Sequence, residues 1–167
     1  MDGAAKFGAS PSDARVRLAS TEDLEALVRL INAAFVVEQV AIEGDRVDRD
    51  RVQAYLRTGT FLLLEHSRSV LGCVYVEKRG DRGYLGLLSV DPAQQKKGLG
   101  RLLTAAAEKH LKETGCRAVD LRVISARDEL LSFYGKLGYA VTGTSPMPAG
   151  APLKIPCHFI HMAKPLS

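Results

Sequence analysis

Residues 87 to 111 read LLSVDPAQQKKGLGRLLTAAAEKHL. An apolar run closes at Ser89-Val90, Asp91-Pro92 interrupts it, and a loop rich in amides, lysines and glycines leads into a stretch of period 3.6. Leu99, Leu102, Leu103, Ala106, Ala107 and Leu111 share one face of that stretch, which predicts a helix ended by Gly115. A strand, a short loop and a helix in this order leave the first backbone N–H groups of the helix without carbonyl partners. The helix dipole adds partial positive charge at the same place, and Gly98 and Gly100 let a ligand approach the backbone without a Cβ in the way. A phosphate or pyrophosphate suits such a loop. Spacing excludes two nucleotide patterns: no Gly-Lys-Ser/Thr end lies at Walker distance, and Leu103 stands where a dinucleotide fold needs its third glycine.

Outward from this loop, "TFLLLEH", "VLGCVYVEKR" and "YLGLLSV" are β-rich runs separated by Ser67-Arg68 and by Gly80-Asp81-Arg82-Gly83, which predicts an antiparallel meander. Before them, Arg15 to Ala19 reads as a short strand. Ser20 or Thr21 then caps a helix carrying Leu24, Leu27, Val28, Ile31 and Phe35 on one face, and a second helical stretch runs from Val47 to Arg57 and stops at Gly59. After the central helix come a buried strand "AVDLRVI", a short helix "RDELLSFYGKL" ended by Gly138, and strands "YAVTGTS" and "HFIHMAK". The segment "SPMPAGAPLKIP" reads as a long connection between these last two strands. The order β, α, α, β, β, β, α, β, α, β, β predicts an α/β fold with a mixed, mostly antiparallel sheet of about six or seven strands and about four helices. Residues 1 to 13 have no period and are expected to form a flexible leader, with one domain over residues 14 to 167.

The chain has 167 residues, 46% of them hydrophobic and 25% charged, the composition of an ordinary globular protein. No window reaches the roughly 18 apolar residues of a membrane span, and no secretory pattern opens the chain, so a cytoplasmic address is expected. Cys73, Cys116 and Cys157 lack metal-ligand spacing and read as reduced thiols, two of them within apolar runs. His158 and His161 form no zinc or catalytic pattern and are expected to alternate on the terminal strand, so no metal is expected. The net charge of +4 favours anionic partners without choosing among them. With 6% aromatics and no tryptophan, nucleic acid is a weak reading.

The loop resembles the acyl-CoA loop of the GNAT superfamily of N-acetyltransferases, Q/R-x-x-G-x-G/A after a strand ending in V-x-P. Val90, Pro92, Gln95, Gly98 and Gly100 stand at every required position. The order of elements over nearly the whole chain is similar too, and "LLSFYGKLGYAV" looks like the family's later helix-to-strand segment, with Tyr134 and Gly138-Tyr139 in place of its tyrosine and Gly-aromatic pair. The resemblance implies acetyl-CoA as co-substrate, its pyrophosphate on the amides of Gln95, Lys96, Lys97, Gly98, Leu99, Gly100 and Arg101 and its pantetheine arm beside Leu88, Ser89 and Val90. It also implies a direct transfer of acetyl to a primary amine in a ternary complex. Tyr134 would donate a proton or a hydrogen bond to the departing thiolate, and the Leu88 backbone amide would hold the oxyanion. A homodimer is open by analogy.

No glutamate lies in "YLGLLSV", where family members often carry one, so the base is sought among Glu65 and Glu77 on neighbouring strands and Glu38 and Glu43 after the first helix. Many members have glycine at Lys96, asparagine at Arg127 and alanine at Leu130, and these departures bear on loop geometry and acceptor preference. The segments from Val36 to Gly59 and from Ser145 to Pro156 are expected to shape the acceptor pocket. A non-catalytic acyl-CoA sensor is the alternative, and Tyr134 discriminates, since a sensor needs no acid beside the sulfur.

Overall fold

The computed structural model describes residues 14–167; the expected leader, residues 1 to 13, lies outside the described residues. Seven strands form one sheet: β1 (Arg15–Leu18), β2 (Thr60–His66), β3 (Ser69–Arg79), β4 (Arg82–Val90), β5 (Ala118–Ile124), β6 (Ala140–Pro146) and β7 (His158–Pro165). The helices are α1 (Leu24–Ala34), α2 (Arg49–Thr58), α3 (Leu99–Glu113) and α4 (Glu129–Lys136). This is the element order expected from the sequence.

In space the strands run β1-β2-β3-β4-β5-β7-β6. The β4–β5 pair is parallel and the others are antiparallel. The meander follows from its turns: Ser67 and Arg68 both take positive φ, the twist that a two-residue hairpin needs, and Gly80 does the same at the β3–β4 turn. At the first helix, Ser20 forms a capping box with Asp23 through a short 3-10 turn that leads into α1. Asp48 caps α2 by accepting from the Arg51 N–H at 2.8 Å. Gly115 and Gly138 carry positive φ just past α3 and α4, as the two helix stops require.

Two apolar layers sandwich the sheet. On one face α3 packs Leu99, Leu103, Ala107 and Leu111 with Leu62, Val74, Leu85, Val119, Leu121 and Met162, and Tyr134 of α4 joins them. Each fully buried leucine there contributes about 2 kcal/mol. On the other face Leu27 and Ile31 of α1 and Val52 of α2 cover Phe61, Leu63, Cys73, Tyr75 and Leu87. That second layer contains no residue of β5, β6 or β7, so these strands present one bare face.

The strand "AVDLRVI" is buried at five of its seven positions: Val119, Leu121 and Val123 join the layer under α3, Ala118 and Ile124 are buried at its ends, and between them Asp120 is half-buried and Arg122 exposed. Alternation along a strand sends odd and even residues to opposite faces, and only the odd set meets helices. The three cysteines are free, Cys73 and Cys116 buried, and burial pushes the Cys73 thiol up to about 12.

Candidate active site

The seam between β4 and β5 organises the site. These strands pair only at Arg82, Gly83 and Tyr84 against Ala118, Val119 and Asp120. Beyond Tyr84 they part, although β4 runs on to Val90 and β5 to Ile124. The facing backbone edges are left without a strand partner and need another source of hydrogen bonds. β4 is also irregular here. Cys73 pairs with Ser89 but Tyr75 with Gly86, so Leu87 and Leu88 together oppose Val74, and Leu87 takes φ +52°. A bulge of this kind turns backbone groups out of the ladder beside the open seam.

The quoted loop lies at the end of β4. Its chain passes through a short 3-10 turn, Pro92–Gln94, started by Asp91, whose carboxylate accepts from the Ala93 N–H at 2.9 Å. The Gln95 side chain folds back to donate to the Val90 carbonyl at 3.2 Å, and Lys97 donates to Gln94 at 3.1 Å. Gly98 starts α3 with φ +82°, and no side chain caps the helix. A Cβ at Gly98 would meet nothing within 4 Å, so its surroundings are open, whereas one at Gly100 would lie 3.4 Å from the Phe133 ring. The first amides of α3 are thus free to bind an anion. Lys96, where glycine is common in the resembled family, sits at φ +67°. A lysine there costs about 1 kcal/mol relative to glycine.

Tyr134 enters from α4. It is 5% exposed, its ring stands edge-on to Phe133 at 5.0 Å and to Tyr139 at 5.7 Å, and it is near enough to Arg127 and Tyr84 for both to perturb its ionisation. Burial pushes the phenol above its ordinary range, so it is protonated at neutral pH. Of the neighbouring aromatic pair, Tyr134 is the buried member and Phe133 the half-buried one beside Gly100.

The four candidate carboxylates separate clearly. Glu65 is tied to Arg17 at 3.0 Å at the β1–β2 edge. Glu77 accepts from the Tyr75 hydroxyl at 2.6 Å and from Arg79 at 2.9 Å, and that guanidinium holds its carboxyl below the ordinary value. Glu43 is exposed. Glu38 alone is buried, on the turn after α1, and it meets Arg127 of the β5–α4 connection at 3.0 Å. Burial raises its carboxyl above the ordinary value despite the opposing pull of Arg127. Arg127 is held in turn by Glu129 at 2.6 Å. Sequence reading noted Arg127 only as a departure; its partner lies 89 residues away, and no local signal joins them.

The two segments expected to wall the acceptor pocket do meet. Ile42 bridges Leu153, the Glu43 N–H donates to the Pro152 carbonyl at 2.9 Å, and the Lys154 N–H donates to the Ala41 carbonyl at 2.7 Å. Among the described residues no group of three or more His, Cys, Asp or Glu side chains is placed to hold a metal ion, and no helix is long and apolar enough to cross a membrane.

The site thus combines a mixed sheet parted between β4 and β5 with an uncapped helix start. The pattern of the acetyltransferase (GNAT) family matches residues 24–139, and the chain belongs to that family. It is 31% identical over 130 residues to a mycothiol acetyltransferase of Propionibacterium freudenreichii subsp. shermanii, covering 74% of this chain and 42% of that protein. It is 35% identical over 130 residues to that of Mycobacteroides abscessus, covering 74% and 44%. The chain thus spans less than half the length of these relatives. Among solved structures, Ard1 from Thermoplasma volcanium is similar with a TM-score of 0.78 at 19% identity, covering 93% of this chain and 99% of that one. YncA from Salmonella typhimurium with its cofactor acetyl-CoA gives a TM-score of 0.69 at 24% identity, covering 93% and 95%. These likenesses establish the fold.

Proposed function

We propose that this protein transfers an acetyl group from acetyl-CoA to a primary amine by direct attack in a ternary complex. The observation that carries the reading is the coincidence of the uncapped α3 start at Gly98 with the open β4–β5 seam. The pyrophosphate of CoA binds the amides from Gln95 to Arg101. Lys96, Lys97 and Arg101 add positive charge around it. The pantetheine arm, with its amide groups, takes the place of a strand beside Leu88, Ser89 and Val90.

The remaining roles fall to Glu38, Leu88 and Tyr134. The amine attacks the acetyl carbonyl only when neutral, and Glu38, the one buried carboxylate of the four candidates, receives its proton, directly or through water. As the carbonyl carbon becomes tetrahedral, negative charge moves to oxygen and the Leu88 N–H at the β4 bulge donates to it. The C–S bond then breaks, and the thiolate takes a proton from Tyr134. Burial keeps that phenol protonated until the thiolate forms.

Calorimetric titration with acetyl-CoA tests the binding half. The protein is expected to bind at micromolar concentration, and Gly98→Asp to lose about 100-fold in affinity, since a carboxylate then faces the pyrophosphate and the φ of +82° favours glycine. Equal affinity of the two proteins would remove the loop from the reading.

A further inference from the structure

The bare face of β5, β7 and β6 holds a cavity of about 460 Å³. It begins where the seam opens. Tyr84 and Asp120, the last β4–β5 pair, line it together with Arg79, Arg122 and His161. The volume suits a small molecule, since ligand pockets run from about 300 to 1,000 Å³.

Charge decides what kind of molecule. Arg79 is neutralised by Glu77 at 2.9 Å and lies flat on the Tyr84 ring at 4.1 Å. Arg82 clasps Asp120 with two bonds of 2.7 Å, which cancels the acid of the cavity. Arg122 has no carboxylate partner among the described residues. Its guanidinium stacks on Phe159 at 4.0 Å, which fixes the plane of the group and leaves its N–H edge for an acceptor. Beside it, at the paired position on β7, His161 is oriented by a 2.7 Å hydrogen bond with Ser145. With the partners Glu77 and Arg82 outside the lining counted in, three guanidiniums meet two carboxylates, and the excess positive charge is on Arg122, the one best shaped to grip two oxygens.

We propose that this cavity receives an anionic oxygen group, a carboxylate or a phosphate, of a small amine acceptor, and that Arg122 is the residue that binds it. The inference rests on the acetyltransferase reading and narrows it. An acceptor held by its anion at Arg122 presents its amine at the opening of the seam, where the acetyl group arrives. Polyamines and other polycations are disfavoured by the same arginine.

The test compares acceptors that differ in one charge. Thiol release from acetyl-CoA is followed with a panel of α-amino acids against their carboxamides, and with phosphoethanolamine against ethanolamine, which separates the two anions. At least one anionic member is expected to exceed its neutral counterpart by more than about tenfold in kcat/KM, and Arg122→Met to erase the difference through KM while Arg122→Lys restores part of it. Equal rates within every pair, or a preference that survives Arg122→Met, would overturn the assignment. A second measurement does not depend on catalysis: N-acetylglycine, a product of the expected class, is titrated into the free protein against its carboxamide and followed by NMR at Arg122 and His161. Shifts with the acid alone support the cavity's preference, and their absence refutes it. Loss of acetyl-CoA binding with these shifts intact would instead refute the transferase reading.

Discussion

Strands β2, β3 and β4 carry helices on both faces, while β5, β7 and β6 carry them on one, and the seam between the two groups is paired for only three residues. The first group shows what complete burial does. Its β2–β3 register runs from Thr60 against Val76 to His66 against Ser69 with one shift, between Leu64 and Glu65, and Phe61, Leu63 and Tyr75 have no exposed surface. The second group keeps charged residues such as Arg122 on its bare face and its edge strand β6 almost wholly exposed. Stability therefore concentrates in the covered half, and the proposed chemistry lies where cover stops. A backbone edge that no strand pairs is satisfied by water or by a ligand's amides, and the proposed pantetheine site uses it.

Substitutions on the two sides are expected to separate in their readouts. Tyr134→Phe keeps the ring and its contacts with Phe133 and Tyr139 and removes only the proton. It is expected to lower kcat by about 10³-fold in an assay of thiol release, with the thermal midpoint and acetyl-CoA affinity nearly unchanged. A normal kcat would remove Tyr134 from the role of acid, whereas absence of turnover in the parent protein would favour the sensor alternative. In the covered half, Leu63→Ala empties a site with no exposed surface, and denaturant unfolding is expected to show a loss of about 3 kcal/mol with kcat per folded molecule preserved. A large loss of kcat there would mean that the two halves are coupled.

The smallest effect tests the boundary between them. The raised carboxyl of Glu38 must be ionised to accept a proton, so kcat/KM is expected to fall as pH drops through its titration, which lies above the ordinary carboxylate range. Glu38→Gln is expected to remove that acidic limb and reduce kcat about tenfold. An unchanged pH profile would assign the limb to another group and leave Glu38 as the partner that holds Arg127.

Much of this was legible in advance because the signals are local. The Gly98 and Gly100 spacing, the period of α3 and the turn residues at Ser67-Arg68 and Gly80 act within a few positions of themselves. Glu38 was one of four equivalent carboxylates until burial and Arg127 distinguished it. Arg122 sat unnoticed in a run read as a buried strand, although its alternation with Leu121 and Val123 was a readable sign of an exposed position.

By itself, the sequence determined the elements, their order and the glycine-containing loop before α3, since hydrophobic period, capping and glycine positions are properties of short segments. Only the tertiary structure decided where β4 and β5 part, which carboxylate is buried, and that Arg79, Asp120, Arg122 and His161 share one cavity. These outcomes depend on which sheet face the helices leave bare, and the packing that settles it joins residues far apart in the chain.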